Sequence, residues 1–325
     1  MKRGPSARAF RLAAAYFRRR PLWCSWQVTR RCASYCMFCE HRLEGGDEEL
    51  DLAGCARVVE QLSAAGALLV SLTGGEPFLR DDLPAVVGLV AARHYPLLTT
   101  HGWLVSREKA RSVWRAGLEG ATVRLRHARA DRHDAAAGLP RAHARALAAV
   151  EAFAAERLRP SQRVNVKVRV GSAEDLEGLE DLLRETARLG ASVSVEPGFP
   201  LGGGETGLTG ALLALKRRHR NLRSRTSYLA RFDEALVSGV GGCQAGRAFL
   251  NVDHRGRVSK CVEFQGESDR VGDLTREDWD EVGGRLRRAT ARNECRSCWY
   301  ASRGEVEALY TARGLVGALP ALVRS

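Results

Sequence analysis

Three cysteines near the N-terminus, Cys32, Cys36 and Cys39, have a spacing that suits a metal cluster. They lie in the segment VTRRCASYCMFCEHR, a C-x3-C-x2-C pattern in which Phe38 directly precedes the last cysteine. Four thiolates complete the coordination of a [4Fe–4S] cluster, so three close thiolates suggest a cluster with one iron that lacks a protein ligand. An open metal position is where a substrate or cofactor binds, as in catalytic zinc sites. A zinc site or a chance grouping of cysteines is the alternative.

A glycine-rich turn follows one strand–helix unit later. The segment LTGGEP ends the second predicted strand and contains Gly74, Gly75, Glu76 and Pro77. The two glycines allow a ligand to approach the backbone closely. Glu76 and exposed backbone groups of the turn offer acceptors for an ammonium group. An ordinary turn is the alternative.

With these two motifs at this spacing, the chain resembles the radical S-adenosylmethionine (SAM) superfamily. In that family the open iron chelates the amino and carboxylate groups of SAM, and the GGEP turn holds the amino group. One electron from the cluster breaks the C5′–S bond of SAM and gives a 5′-deoxyadenosyl radical. The resemblance implies that Cys32, Cys36 and Cys39 bind a [4Fe–4S] cluster and that Phe38 and the turn contact SAM.

Two further strand ends correspond to positions that bind ligands in the family. The third predicted strand ends in TTHG, where the family usually has Thr-Asn-Gly, so Thr100 and His101 are expected to contact SAM. A plain loop histidine is the alternative. The fourth strand ends in RLRH, where many relatives with a SPASM or Twitch domain read Ser-Leu-Asp-Gly. Strand alternation puts Arg124 and Arg126 on one face, where they would bind a carboxylate or phosphate of the substrate or of SAM. Alternatively, Arg126 lies beyond the strand in solvent.

Four cysteines near the C-terminus, Cys243, Cys261, Cys295 and Cys298, form a second set of soft ligands. Zinc and Fe–S clusters both fit four thiolates. The region resembles the Twitch domain, a shortened SPASM domain, which implies a second, auxiliary [4Fe–4S] cluster. With four protein ligands this cluster would be closed and would carry electrons. A structural zinc site is the alternative.

The catalytic residues are not fixed by any motif. Glu196, which ends the sixth predicted strand, and Glu263, two residues after Cys261, are candidate bases, and the two arginines on strand four are candidate substrate contacts. A structural or surface role is the alternative for both carboxylates. The remaining cysteines, Cys24 and Cys55, are interpreted as packed apolar residues.

A strand–helix alternation predicts an α/β fold, a partial (β/α)6 TIM-like barrel with a small C-terminal Fe–S domain of the Twitch or SPASM type. We expect a basic helix at 1–21, the barrel at 22–200, linker helices at 201–240 and the auxiliary domain with a C-terminal tail at 241–325. In the last of these, a hairpin is followed by a helix that Thr275 would cap. The six predicted strands are Ser25–Thr29, Ala67–Leu72, Tyr95–Thr100, Ala121–Leu125, Val164–Val170 and Ser192–Glu196.

The charge of the chain argues against a nucleic-acid partner. The formal net charge is +13, but nine of the uncompensated positive charges lie within residues 1–31. The excess therefore belongs to an N-terminal segment, whose amphipathic helix would pack under the barrel or lie on an anionic membrane surface. No apolar run reaches the roughly 20 residues of a membrane span, and no signal peptide is evident, so a cytoplasmic protein is expected. A membrane-peripheral location is the alternative.

These features predict an enzyme that cleaves SAM reductively and uses the radical to abstract hydrogen from a substrate C–H bond, with the auxiliary cluster as electron carrier. Ferredoxin or flavodoxin would supply the electron. The substrate would be a peptide, as for a maturase, or a small or lipid-linked molecule. A non-catalytic Fe–S or zinc scaffold is the competing class of protein.

Overall fold

A nine-stranded sheet carries the fold in the computed structural model, which describes residues 17, 20–32, 49–198 and 205–310. The strands are β1 (Trp23–Thr29), β2 (Leu69–Gly74), β3 (Tyr95–Thr100), β4 (Gly120–Leu125), β5 (Arg163–Val170), β6 (Ser192–Pro197), β7 (Phe249–Val252), β8 (Arg257–Ser259) and β9 (Arg270–Asp273). Their order in the sheet is β6-β5-β4-β3-β2-β1-β7-β8-β9. All neighbours from β6 to β7 are parallel, and β8 and β9 are antiparallel.

Helices connect the parallel strands and cover their outer face. They are α1 (Leu52–Ala65), α2 (Leu83–Arg93), α3 (Arg107–Arg115), α4 (Ala130–Ala137), α5 (Ala142–Ala155), α6 (Leu179–Arg188), α7 (Leu208–Arg218), α8 (Thr226–Leu229), α9 (Phe232–Val237), α10 (Trp279–Ala289) and α11 (Ala301–Leu309). The fold is the α/β partial barrel expected from the sequence, and each of its six strands lies within two residues of its predicted bounds.

Strand β5 shows how alternation separates the core from the inner face. Its four valines, at every second position from Val164 to Val170, are buried in the hydrophobic core. The intervening residues, among them Lys167 and Arg169, point to the opposite face, where both line a cavity. One strand therefore supplies both apolar packing and charged groups.

The C-terminal part of the chain continues the same sheet. Strand β7 pairs in parallel with β1, from Trp23 opposite Phe249 to Trp26 opposite Val252. Helix α10 packs against α1, where the Trp279 amide donates to Gln61 Oε1 at 2.7 Å. The proposed domain boundary near residue 241 stays a prediction, but the sheet and this helix pair join the two sides of it.

The predicted helix start at Thr275 is wrong. The helix begins at Trp279, directly after Asp278. The Thr275 amide and hydroxyl both donate to Asp273 Oδ1, at 2.8 and 2.6 Å, so this threonine closes the turn after β9. A threonine with an acidic residue three positions later fits either structure, because both use side-chain oxygens to satisfy backbone amides.

Several predictions concern residues outside the described ranges. These are the N-terminal helix apart from Phe17, which is helical and exposed, the residues Cys36, Phe38 and Cys39, and the C-terminal tail beyond residue 310. In the described part of the chain, no helix is long and apolar enough to span a membrane.

Candidate functional site

A cavity of about 1020 Å³ runs along the inner face of the sheet, from Trp23 and Phe249 to the C-terminal ends of the parallel strands. Cys32, Gly74, Gly75, Thr100 and His101 line its wall on the β1–β3 side. Residues of the C-terminal part, including Cys261, Cys298 and Tyr300, close another side. The parallel barrel therefore brings the first cysteine motif, the glycine turn and the TTHG loop to one wall, as expected for chemistry at the carboxyl ends of barrel strands.

The glycine turn packs directly against the segment that leads to Cys32. The Gly75 amide donates to Thr29 O at 2.9 Å, and the Glu76 amide donates to Arg31 O at 2.8 Å. A Cβ atom on Gly75 would collide with the carbonyl oxygen of Arg31. Glycine is thus required here for the close approach of two backbones, and the approach fixes the start of the cysteine loop.

Glu76 is a positioning residue and does not line the cavity. Its side chain is fully buried, and its carboxylate accepts from the Phe78 amide at 3.1 Å, from Thr100 Oγ1 at 2.8 Å and from the His101 amide at 3.0 Å. Pro77 is also buried and begins a short 3-10 turn. Protein donors occupy the carboxylate in this structure, and a contact of the Glu76 side chain with a ligand ammonium stays a prediction. The part of GGEP on the cavity wall is the glycine pair.

His101 lies beside the same carboxylate, with Nε2 3.1 Å from Glu76 Oε2. Its Nδ1 accepts a hydrogen bond from the Trp103 amide at 3.0 Å. Burial lowers the pKa of His101, and Arg126 lowers that pKa further, against the opposing effect of Glu76. The imidazole is therefore neutral near pH 7, and the position offers the cavity a polar, uncharged group.

Four cations line the β4–β5 side of the cavity, and we call them the cationic platform: Arg124, Arg126, Lys167 and Arg169. Arg124 and Arg126 thus take the cavity-facing position that strand alternation predicts. Lys167 and Arg169 were missed in the sequence, although the segment RVNVKVRV has the alternating pattern that places them on the same face.

Glu196 compensates part of this charge. It accepts from the Ala301 amide at 3.3 Å, and its carboxylate lies 3.0 Å from Lys167 Nζ and 3.7 Å from Arg124 Nη2. Burial acts to raise the pKa of Glu196, but Lys167 and Arg124 outweigh burial and hold that pKa below its usual range. A carboxylate stabilised in this way is a poor proton acceptor, which weighs against Glu196 as a base. Glu263 is exposed at the rim and accepts from Tyr300 Oη at 2.6 Å.

His133 is a cavity residue that the sequence did not single out for chemistry. Its Nδ1 accepts from the Arg126 amide at 2.8 Å, and its ring meets that of His143 edge-on with centroids 5.7 Å apart. Burial, with a smaller effect of His143, lowers the pKa of His133 to about 4. A neutral His133 therefore fixes the backbone where Arg126 enters the cavity.

The four C-terminal cysteines are neighbours in the structure. Burial, with smaller contributions from neighbouring thiols that include Cys243, raises the pKa of Cys261 to about 12 and that of Cys298 to about 11. Burial and, to a smaller extent, Cys295 raise the pKa of Cys243. Among the residues that the structure describes, however, no three His, Cys, Asp or Glu side chains converge closely enough to hold a metal ion.

The other two cysteines of the described chain are packing residues. Cys24 lies within β1 and Cys55 on the inner face of α1, and both are buried in the hydrophobic core. Burial raises the pKa of Cys55 to about 11 and that of Cys24 further still. Both thiols are therefore protonated near pH 7, as expected for small apolar residues.

Comparison with known proteins relates the chain to one family. Residues 26–186 match the family described as the radical SAM superfamily. The PqqA peptide cyclase of Gluconobacter oxydans is 33% identical over 126 residues, which are 38% of this chain and 35% of the relative. The chain thus matches about a third of the length of this relative.

Two solved structures share the fold. Streptococcus suis SuiB bound to S-adenosylmethionine superposes with a TM-score of 0.65 at 16% identity, over 91% of this chain and 75% of SuiB. The enzyme anSMEcpe with bound AdoMet gives a TM-score of 0.63 at 14% identity, over 93% of this chain and 100% of that one. The likeness in fold extends well beyond the matched domain. Through its domain at residues 26–186, the chain belongs to the radical SAM superfamily.

Proposed function

We propose that this radical SAM enzyme modifies a peptide by abstracting hydrogen from one of its C–H bonds. The observation that carries the proposal is the common cavity wall formed by Cys32, the Gly74–Gly75 backbone and the Thr100–His101 loop. At about 1020 Å³ the cavity has room for SAM and for part of a second molecule, since single-ligand pockets usually measure about 300–1000 Å³.

The residues of this wall fit the two cofactors of the family. Cys32, Cys36 and Cys39 would hold the [4Fe–4S] cluster with Phe38 beside it, and Gly74, Gly75, Thr100 and His101 would contact SAM. When bound, the cluster and SAM together supply the radical that abstracts hydrogen from the substrate. Glu76 contributes indirectly, because its carboxylate holds the Thr100 hydroxyl and the His101 amide in place.

A peptide substrate is supported by the proteins that resemble this chain. One relative is named as a cyclase of the PqqA peptide. SuiB has also been solved with the precursor peptide SuiA, and anSMEcpe has been solved with a bound peptide. Residues of both the barrel and the C-terminal part line the cavity, so a peptide bound there would contact both. We propose ferredoxin or flavodoxin as the class of reductant.

We propose the four C-terminal cysteines as ligands of the second cluster, in the role of electron carrier. The support is that the four thiols lie within electrostatic reach of one another in a largely buried place. Their side chains must turn toward a common point to bind a metal, since they do not converge in the present structure. Deprotonated thiols this close repel each other, and a bound metal cation would remove that penalty.

The test is anaerobic reconstitution with iron and sulfide, followed by reduction with dithionite in the presence of SAM. We expect 5′-deoxyadenosine from the natural sequence and a loss of at least 100-fold in the Cys32→Ala variant. The Cys55→Ala variant, which removes a buried thiol outside both ligand sets, serves as control and should retain cleavage.

Metal analysis of the same preparations addresses the second site. Two clusters require about eight iron atoms per chain, and Cys261→Ala should lower the count toward about four. Zinc in place of the second four iron atoms would show that the C-terminal cysteines form a structural zinc site. An enzyme that binds iron but produces no 5′-deoxyadenosine would contradict the proposed reaction.

A further inference from the structure

The β4–β5 side of the cavity carries more positive charge than the described protein neutralises. Arg124 and Lys167 are register neighbours, and Arg169 is the register neighbour of Glu196. Glu196 is the carboxylate within 4 Å of Arg124 and Lys167 among the described residues. Four cations of the platform thus face one acidic partner, which leaves a marked positive excess.

Arg169 shows this imbalance most clearly. Its Nε is buried and has no hydrogen-bond partner in the described part of the chain. Burial, Arg126 and Arg124 lower its pKa and outweigh the opposing effects of Tyr300 and Glu196, so the charge is disfavoured at this place. A buried N–H group without a partner is costly, and such groups are normally satisfied by an anion or by another hydrogen-bond acceptor.

We infer that the cationic platform binds a carboxylate of the substrate, with Arg169 and Arg126 as its principal contacts. The platform already holds a carboxylate of this kind, because Glu196 receives Lys167 at 3.0 Å and lies 3.7 Å from Arg124. Guanidinium groups match the two oxygens of a carboxylate in a fixed planar geometry. In a peptide, the group would be an acidic side chain or the C-terminal carboxylate.

The position of the platform favours the substrate over SAM as the source of this carboxylate. The residues assigned to SAM lie at the ends of β1, β2 and β3, whereas Lys167 and Arg169 lie on β5. In sheet order, β5 is four strands from β1, the strand that leads to Cys32. The inference rests on the proposed function, because it assigns the carboxylate of SAM to the cluster at Cys32, Cys36 and Cys39.

The experiment measures binding to reconstituted protein saturated with SAM and kept without reductant. The probes are the blocked amino acids N-acetyl-L-aspartic acid α-amide and N-acetyl-L-asparagine α-amide, which differ in charge and hardly in shape. By titration calorimetry, the acidic probe should bind at least tenfold tighter than the neutral one. Arg169→Gln should abolish this preference, and Arg169→Lys should keep part of it.

The matched control is Arg163→Gln on the same strand. Arg163 is exposed at the opposite end of β5, so its replacement should leave the preference unchanged. Circular dichroism and the thermal midpoint verify that each variant folds. Arg169→Gln should melt no lower than the natural sequence, because it removes a guanidinium that its neighbours repel.

Three results would overturn the inference. The first is equal binding of the two probes. The second is tenfold weaker SAM binding by Arg169→Gln with unchanged preference for the acidic probe, which would assign the platform to SAM. The third is tenfold tighter binding of inorganic phosphate than of the acidic probe, which would show that the platform binds a phosphate group and not a carboxylate. Since no reductant is present, a failure of SAM cleavage is a separate result.

Discussion

At the scale of single residues, the site depends on which polar groups the protein itself satisfies. The Glu76 carboxylate is fully buried and accepts from the Thr100 hydroxyl and the His101 amide, so its negative charge organises the loop at these two residues. Arg169 is the opposite case, since its buried Nε has no partner in the described residues. Glu76 therefore positions a loop of the site, and Arg169 is the residue that we propose contacts a ligand.

His133 is expected to account for part of the loss of folding stability at acid pH. Its pKa falls from 6.5 to about 4 on folding, first because of burial. A histidine with a lowered pKa costs no stability above pH 6.5, and the folded state loses stability as the pH falls from 6.5 toward 4, where the unfolded chain takes up the proton first. We expect this residue alone to cost about 1 kcal/mol between pH 7.5 and 5.5.

Urea unfolding at the two pH values checks this prediction. The His133→Asn variant keeps an acceptor near the Arg126 amide but does not titrate in this range. Its loss of stability between pH 7.5 and 5.5 should be smaller than that of the natural sequence by about 1 kcal/mol. An identical loss in both proteins would show that His133 is not held neutral by folding.

At the scale of elements, the packing of the glycine turn on the end of β1 determines where the cysteine loop starts. Gly75→Ala should disrupt this contact, since its Cβ would meet the backbone oxygen of Arg31, which cannot move aside like a side chain. We expect at least a tenfold loss of SAM binding by the reconstituted protein, together with a lower thermal midpoint.

A glycine elsewhere provides the control. Gly210 lies in α7, and a Cβ there would meet no atom within 4 Å. Gly210→Ala should bind SAM normally and gain up to about 1 kcal/mol of stability, because alanine is the better helix former. A Gly75→Ala variant that behaves like this control would disprove the role of the close approach.

The elements of the barrel were largely predictable because strand-like runs alternate regularly with helical segments, and the first chemical motifs lie directly at the ends of these runs. The alternation of β5 carried enough information to find Lys167 and Arg169, but no motif drew attention to them. The burial of the Glu76 carboxylate against protein donors was not predictable, because a carboxylate in a turn can face a ligand or its own backbone. The predicted helix start at Thr275 was wrong for a similar reason, since a turn and a helix start use the same kind of side-chain oxygen.

At the scale of the whole molecule, the barrel and the C-terminal part form one sheet. The pairing of β7 with β1 could not be inferred from sequence, because β1 has the same apolar pattern whether it lies at an edge or between two strands. The pairing, the contact of α10 with α1 and the ion pair of Arg57 Nη2 with Asp278 Oδ1 at 2.6 Å tie the parts together.

We therefore expect the two parts to unfold together. Differential scanning calorimetry should show one transition, and far-ultraviolet circular dichroism should give the same midpoint as tryptophan fluorescence, to which Trp279 and Trp299 in the C-terminal part contribute. Two separated transitions, or midpoints that differ between the probes, would show instead that the C-terminal part is an independent unit.

The central place of β1 also has a consequence for the order of events during synthesis on the ribosome. The strand acquires β2 as a neighbour early, but its other neighbour, β7, is translated more than 200 residues later. At roughly 5–20 residues per second, β1 keeps an open edge for on the order of ten seconds or more. The cysteine loop is thus complete well before its supporting sheet, and a cluster inserted in the nascent chain would be held by an unfinished barrel.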